Sequence, residues 1–238
     1  MRITMNGCNI CNANSMTIVN GRVVGGSFSS AESKKIDERK SIRVDDINKI
    51  KVDSDLADVT VSVGSCDTVE VHYHGEVATD GNIEWSLTKS DDEINIVAKM
   101  DANIFNGSLK LDVVIPQKRF RLISVKCQNG TAEFHKNVKT SRLKVNSQNG
   151  SIESEADFEE ITAQTMNGSV DISISAKSDI EISASSMNGN VNVELYNIGS
   201  CHISTSSMNG SARNRHNSTG KYKATGEISS MNGNVRIQ

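Results

Sequence analysis

One phrase recurs six times between Cys127 and Gln238, and it limits what the chain can fold into. It reads Gln128-Asn129-Gly130, Gln148-Asn149-Gly150, Met166-Asn167-Gly168, Met187-Asn188-Gly189, Met208-Asn209-Gly210 and Met231-Asn232-Gly233. The Asn-to-Asn steps are 20, 18, 21, 21 and 23 residues, a period that marks stacked repeat architectures. Asn-Gly suits a tight turn whose two central residues need positive φ, because Asn tolerates that region and Gly occupies it freely. Each pair is therefore expected to be a structural corner.

The flanks alternate apolar and polar, as half-buried strands do. Six residues before each Asn stand Ile123, Leu143, Ile161, Ile182, Ile203 and Gly226; four before stand Val125, Val145, Ala163, Ala184, Thr205 and Ile228. Two before runs a column of small residues, Cys127, Ser147, Thr165, Ser186, Ser207 and Ser230. Three after come Ala132, Ile152, Val170, Val191, Ala212 and Val235, and five after come Phe134, Ser154, Ile172, Val193, Asn214 and Ile237. Each repeat thus has an inward and an outward face. The pattern fits a β-solenoid with Asn-Gly corners, or a meander in which each Asn-Gly joins antiparallel neighbours. Positional identity favours the solenoid, since like residues stacked on like allow buried Asn side chains to form a hydrogen-bonded ladder. The fold class expected is all-β, a single-stranded parallel β-helix.

These repeats, preceded by Val59-Thr60-Val61-Ser62-Val63, Val69-Glu70-Val71 and Leu111-Asp112-Val113-Val114-Ile115-Pro116, resemble the bacterial adhesin-like domains of unknown function. GIN-domain proteins look like more distant relatives. The resemblance runs from about Ile42 to the end. It implies a β-solenoid, often envelope-associated, with no agreed activity and no catalytic residue to carry over.

Four segments are expected. Residues 1–28 form an N-terminal β extension, with Thr17 to Val24 as a hairpin; 29–41 are a charged linker; 42–118 are irregular strands that begin the solenoid; 119–238 are the regular repeats. Trp85 is expected to cover an end of the stack. The last repeat turns Ile228, Val235 and Ile237 inward and then the chain stops, which suggests an uncovered terminal coil and a contact surface at Ile237. Outward and just before the corner stand Met166, Met187, Met208 and Met231, a line that suits partner contact. Four after Asn, an outward strip drifts from Glu133, Glu153 and Asp171 through Asn192 to Arg213 and Arg236.

A formal charge of −3 and a pI near 6.0 leave no footprint for nucleic acid or an anionic membrane. The N-terminus lacks the apolar core of a secretory signal and no window is long and apolar enough to span a bilayer, so a cytoplasmic location is expected. Five scattered cysteines read as reduced thiols. Two features touch on metal. Cys8 and Cys11 have the spacing of half a zinc knuckle with no second pair, and His72 and His74 share a strand face with no further ligand placed by sequence. No metal and no cofactor are expected. The outward columns are Ser, Thr and Asn, and neither a recurring acid pair, a phosphate-binding glycine motif nor a serine elbow appears. The expectation is a non-catalytic binding module that self-associates as a homo-oligomer or takes a protein or glycan partner. End-to-end structural polymerisation is the alternative, and a polysaccharide-active β-helix enzyme a more remote one.

Overall fold

The computed structural model describes residues 32–65, 67–79, 81–101, 104–217 and 219–238, and four short N-terminal strands. Those strands pair as two antiparallel hairpins, β1 (Ile3–Met5) with β2 (Cys8–Ile10), and β3 (Thr17–Val19) with β4 (Arg22–Gly25). The second is the hairpin expected from Thr17 to Val24; apart from these four strands, the N-terminal extension lies outside the described residues.

The main body is two long sheets facing one another, fed by alternate strands of one winding chain. Each regular repeat gives its first strand to one sheet and its second, past the Asn-Gly corner, to the other. In chain order these are β12 (Arg119–Asn129) and β13 (Ala132–Phe134), β14 (Lys139–Asn149) and β15 (Ile152–Ser154), then β16 (Glu160–Asn167) and β17 (Val170–Ser175). Next come β18 (Ile180–Asn188) and β19 (Val191–Tyr196), β20 (Ile198–Ser207) and β21 (Ala212–Asn214), and β22 (Tyr222–Ser230) and β23 (Val235–Ile237). Coil stacks on coil in parallel register, Leu143 on Ile123 and Ile161 on Leu143. The chain is a β-solenoid, and the meander is excluded. The inward columns read from sequence are the core: Ile123, Val125, Leu143, Val145, Ile152, Ile161, Val170, Ile182 and Val191 are fully buried.

Coil order in space departs from order in the chain. The nine-stranded sheet ends β16-β18-β22-β20, and the ten-stranded sheet ends β17-β19-β23-β21. The sixth repeat is therefore inserted between the fourth and the fifth. Ile228, Val235 and Ile237 are sealed from solvent, at 0%, 1% and 0% exposure. This overturns the expectation of an uncovered last coil, and Ile237 cannot be a contact residue. The outer coil is repeat five, which keeps Ile203 in the core but fills its other inward positions with Thr205, Ser207 and the exposed Ala212 and Asn214. A polar terminal repeat is how stacked repeats close an end, so the departures from the apolar pattern in repeat five mark its place.

The other end is built before the repeats begin. Strands β6 (Lys49–Ser54) and β7 (Ala57–Gly64) form a coil against repeat one, and β10 (Glu93–Asp101) and β11 (Ile104–Pro116) form a second coil beyond it, all in parallel. Beyond these, β9 (Asn82–Ser90) pairs antiparallel with β10, and β8 (Thr68–Thr79) antiparallel with β11. The segment read as a charged linker is β5 (Glu32–Arg43), an antiparallel edge strand on β8. Its half-buried Ile36 and Ile42 pack on the core. Lys34, Glu38 and Lys40 share the inner face with these isoleucines, whereas Lys35, Asp37, Arg39 and Arg43 face away from it, and charge is what discourages further pairing at an exposed edge; a charge run by itself does not distinguish such a strand from a linker. Trp85 on β9 covers this end as expected. Its ring lies 5.9 Å from that of Tyr73, its Nε1 donates to Glu38 on β5 at 2.6 Å, and Lys40 Nζ lies 3.8 Å from the ring centroid.

Candidate functional site

The Asn-Gly corners form an unbroken ladder along one edge of the stack. Asn149 Nδ2 donates to Asn129 Oδ1, Asn167 to Asn149, Asn188 to Asn167, Asn232 to Asn188 and Asn209 to Asn232, all at 2.7–2.8 Å. The ladder follows spatial order, with Asn232 between Asn188 and Asn209. It is solvent-exposed rather than buried as expected. The positive-φ premise also fails: among the described residues the non-glycine positive-φ positions are Asp46, Asp91, Asn137 and Asn197. The asparagines end extended strands, aligned Asn on Asn.

Glycine follows for a different reason. A Cβ on Gly150 would run into the carbonyl of Gly130, and the same holds for Gly168 on Gly150, Gly189 on Gly168, Gly233 on Gly189 and Gly210 on Gly233. The coils approach so closely here that only hydrogen fits. The small-residue column completes the corner, because its hydroxyls donate to these same carbonyls. Thr165 reaches Gly150 at 2.9 Å, Ser186 reaches Gly168 at 2.8 Å, Ser230 reaches Gly189 at 2.8 Å and Ser207 reaches Gly233 at 2.7 Å. Cys127 holds the column in the first repeat, and burial pushes its thiol up to about 12, so it stays protonated and inert.

Asn188→Ala removes one rung from both neighbours. Because the rung is exposed, two neutral hydrogen bonds there are worth roughly 1–2 kcal/mol together. The expected result is a lower denaturant midpoint at unchanged slope; an unchanged midpoint would mean the ladder does not stabilise the stack.

This corner supports a face. Outward on the nine-stranded sheet, immediately before the ladder, lie Met166, Met187, Met231 and Met208 in spatial order, at 46%, 41%, 42% and 74% exposure. The sequence-derived row is therefore on the surface. With Gln164, Ser185 and Ser206 it borders a shallow groove of about 770 Å³. Its lining combines the four thioethers with Ser, Thr, Asn and Gln side chains. A strip along the other sheet keeps its drift from Glu133 to Arg213, and Asn192 donates to Asp171 at 2.7 Å within it.

A second cluster lies on the outer face of the ten-stranded sheet. Strand β8 runs between β5 and β11, and its His72 and His74 point outward with rings stacked 4.1 Å apart. His72 Nε2 lies 2.8 Å from Asp37 on β5, and His74 Nε2 lies 2.9 Å from Asp112 on β11. The hydrogen bond to His72 is the main cause that holds the Asp37 carboxyl below its ordinary range. The sequence could not supply these partners because they are 35 and 38 residues away. The Cys8–Cys11 pair falls outside the residues whose side chains are described. Among the described residues no helix is long and apolar enough to cross a membrane.

Comparison with known proteins agrees with this architecture. Residues 47–156 match the family model of the Toastrack domain DUF4097. No curated protein matches the sequence. A crystal structure described as a "putative cell adhesion protein" from Clostridium sporogenes superposes with TM-score 0.54 at 12% identity, over 86% of this chain and 99% of that one. A "putative adhesin" from Bacteroides fragilis gives 0.43 at 12% identity, over 86% and 98%. The Clostridium structure supports the fold alone. Residues 47–156 are thus similar to the Toastrack DUF4097 family, and the repeats beyond them continue the same two sheets of one β-solenoid.

Proposed function

We infer that the chain is a non-catalytic, adhesin-like binding module that meets its partner through the methionine-edged face of the nine-stranded sheet. The observation that carries this reading is the line of four exposed thioethers, one on each of four stacked coils, along a groove otherwise lined by polar side chains. A soluble surface gains little from repeated exposed methionine, whereas flexible polarizable side chains suit a protein partner. A glycan partner is less favoured, because sugar-binding faces rely on aromatic platforms, and this groove is lined by none.

Self-association belongs to the same reading, through this flank rather than an end. The outer coil offers β20 and β21 as edge strands, yet β21 has three residues and carries Arg213, and β20 is irregular between Ile198 and Ser200. Short, charged and irregular edges resist strand addition, which weighs against end-to-end polymerisation.

The test is sedimentation of the full chain at about 100 μM, above the weak end of specific association. The wild type is expected as a discrete oligomer. Replacing Met166, Met187, Met208 and Met231 with Ser is expected to give a monomer whose unfolding temperature changes by no more than about 2 °C, as surface substitutions do. A wild-type monomer at that concentration removes self-association from the reading. An oligomer unaffected by the four substitutions removes the methionine face.

A further inference from the structure

We propose that His72, His74 and Asp112 form a binding site for a borderline divalent transition ion such as zinc, on the outer face of the ten-stranded sheet, with Asp37 beside it. Two histidines separated by one residue on a strand present their rings on the same side. Each flanking strand adds one carboxylate. In the ladder Asp112 stands opposite His72 and Asp37 opposite His74, but each carboxylate reaches diagonally to the other imidazole. The two contacts run on opposite flanks of β8, and it is Asp112 that clusters with both rings, while Asp37 holds His72 from the other side.

The donor set suits the ion. One ligand atom each from His72, His74 and Asp112 lies within 4.8 Å of the others, and Asp37 Oδ1 is 2.8 Å from His72 Nε2. Zinc bonds of about 2.0–2.1 Å to nitrogen and oxygen place tetrahedral donors about 3.3 Å apart, so modest side-chain rotations bring the three atoms into range and leave the fourth position to water. Imidazole nitrogen with carboxylate oxygen selects zinc and its transition-metal neighbours over the hard magnesium ion, which favours all-oxygen sites. The four side chains are intermediate to exposed, with side-chain exposures of 23% and 31% for the histidines and 67% and 42% for Asp37 and Asp112. An ion can therefore enter from solvent.

Without metal, the rings and carboxylates satisfy each other by hydrogen bonding through Nε2. The ring nitrogen that binds the ion carries no proton, so each neutral ring keeps its proton on the other nitrogen, and Asp112 with nearby Asp37 offsets the charge of the dication. Arg39 and Lys110 stand opposite His72 and His74 in the ladder. Their charge opposes a cation, so the expected affinity is roughly micromolar, below that of a closed structural site. The bound ion would tie β8 to β11 at the capped end of the stack, with Asp37 holding edge strand β5 to His72.

The experiment is calorimetric titration of zinc chloride into the chelator-stripped full chain, repeated with cobalt(II) for its visible spectrum. One zinc per chain is expected. The cobalt complex should show tetrahedral nitrogen and oxygen ligation without the thiolate charge-transfer band that cysteine ligation produces. Saturating zinc should raise the unfolding temperature by roughly 5 °C, and a tenfold excess of magnesium should not compete. His72→Gln with His74→Gln should abolish binding, and Asp112→Asn should weaken it at least about tenfold. All three positions face outward, so the zinc-free variants should unfold like the wild type. No heat of zinc binding at 100 μM chain overturns the proposal. So does stoichiometric zinc retained in the double histidine variant, or a cobalt spectrum dominated by thiolate.

Discussion

A chain ending at Asn217 should lose two coils, not one. Were repeat six the outermost turn, removing it would trim the stack and leave repeat five packed on repeat four. It lies between them, with β22 paired to both β18 and β20, and β23 paired to both β19 and β21. Deleting it opens a gap of two strand spacings, about 9.6 Å, across which β20 cannot reach β18. The burial of Ile228, Val235 and Ile237 is lost as well, roughly 5–9 kcal/mol of apolar burial before the ordering of the segment is offset. Repeat five has little to hold it independently, since Ala212 and Asn214 are exposed where other coils are apolar. Hydrogen exchange should show the amides of residues 198–214 unprotected in the truncated chain, while residues 123–195 stay protected. Protection of 198–207 would mean that repeat five docks directly on repeat four and that the inserted order is not required.

The inserted repeat also shows what could be read from the sequence. The solenoid, its two faces and its core columns follow from period and alternation, and both survive any reordering of coils. Order itself is not encoded in the period, because each parallel repeat offers its neighbour nearly the same ladder. The signal lay in the departures. Thr205 and Asn214 break the apolar columns in repeat five, and Arg213-Asn214-Arg215 reads as surface; a coil with those residues suits an end. Repeat six keeps Ile228, Val235 and Ile237 and suits an interior. At its remaining inward position stands Gly226, with φ of +137°, where a Cβ would strike the backbone of Ile182. Chain position suggested the opposite order, and packing overrules it.

The sites divide in the same way. The methionine row is local in the repeat and so was visible as an outward column. The histidine cluster depends on β5 and β11 flanking β8, a relation between residues up to 38 apart, and only its His-x-His half could be seen. Glu32–Arg43 reads as a linker because an edge strand guarded by charge shares its composition with one.

Gly189→Ala should cost more than loss of its asparagine neighbour, and the size of the effect distinguishes two accounts of the corner. If Gly were present for a positive-φ turn, alanine would cost about 1 kcal/mol. The corner is extended, and glycine is required because the next coil is too close. An alanine Cβ at 189 would meet the carbonyl oxygen and carbon of Gly168, with Ser169 N at 3.1 Å. Those atoms belong to a backbone held in both sheets, so they cannot turn aside as a side chain would. On the opposite side the Gly189 carbonyl accepts from Ser230 Oγ at 2.8 Å, so moving residue 189 away strains repeat six. Overpacking of this kind costs roughly 2–4 kcal/mol. Met187→Ala, at the same corner but facing water, should stay within about 0.5 kcal/mol. Denaturant unfolding of the two variants beside the wild type gives the comparison. A Gly189→Ala midpoint no lower than that of Asn188→Ala would show that the coils can part at the corner, and that close approach is not why glycine recurs there.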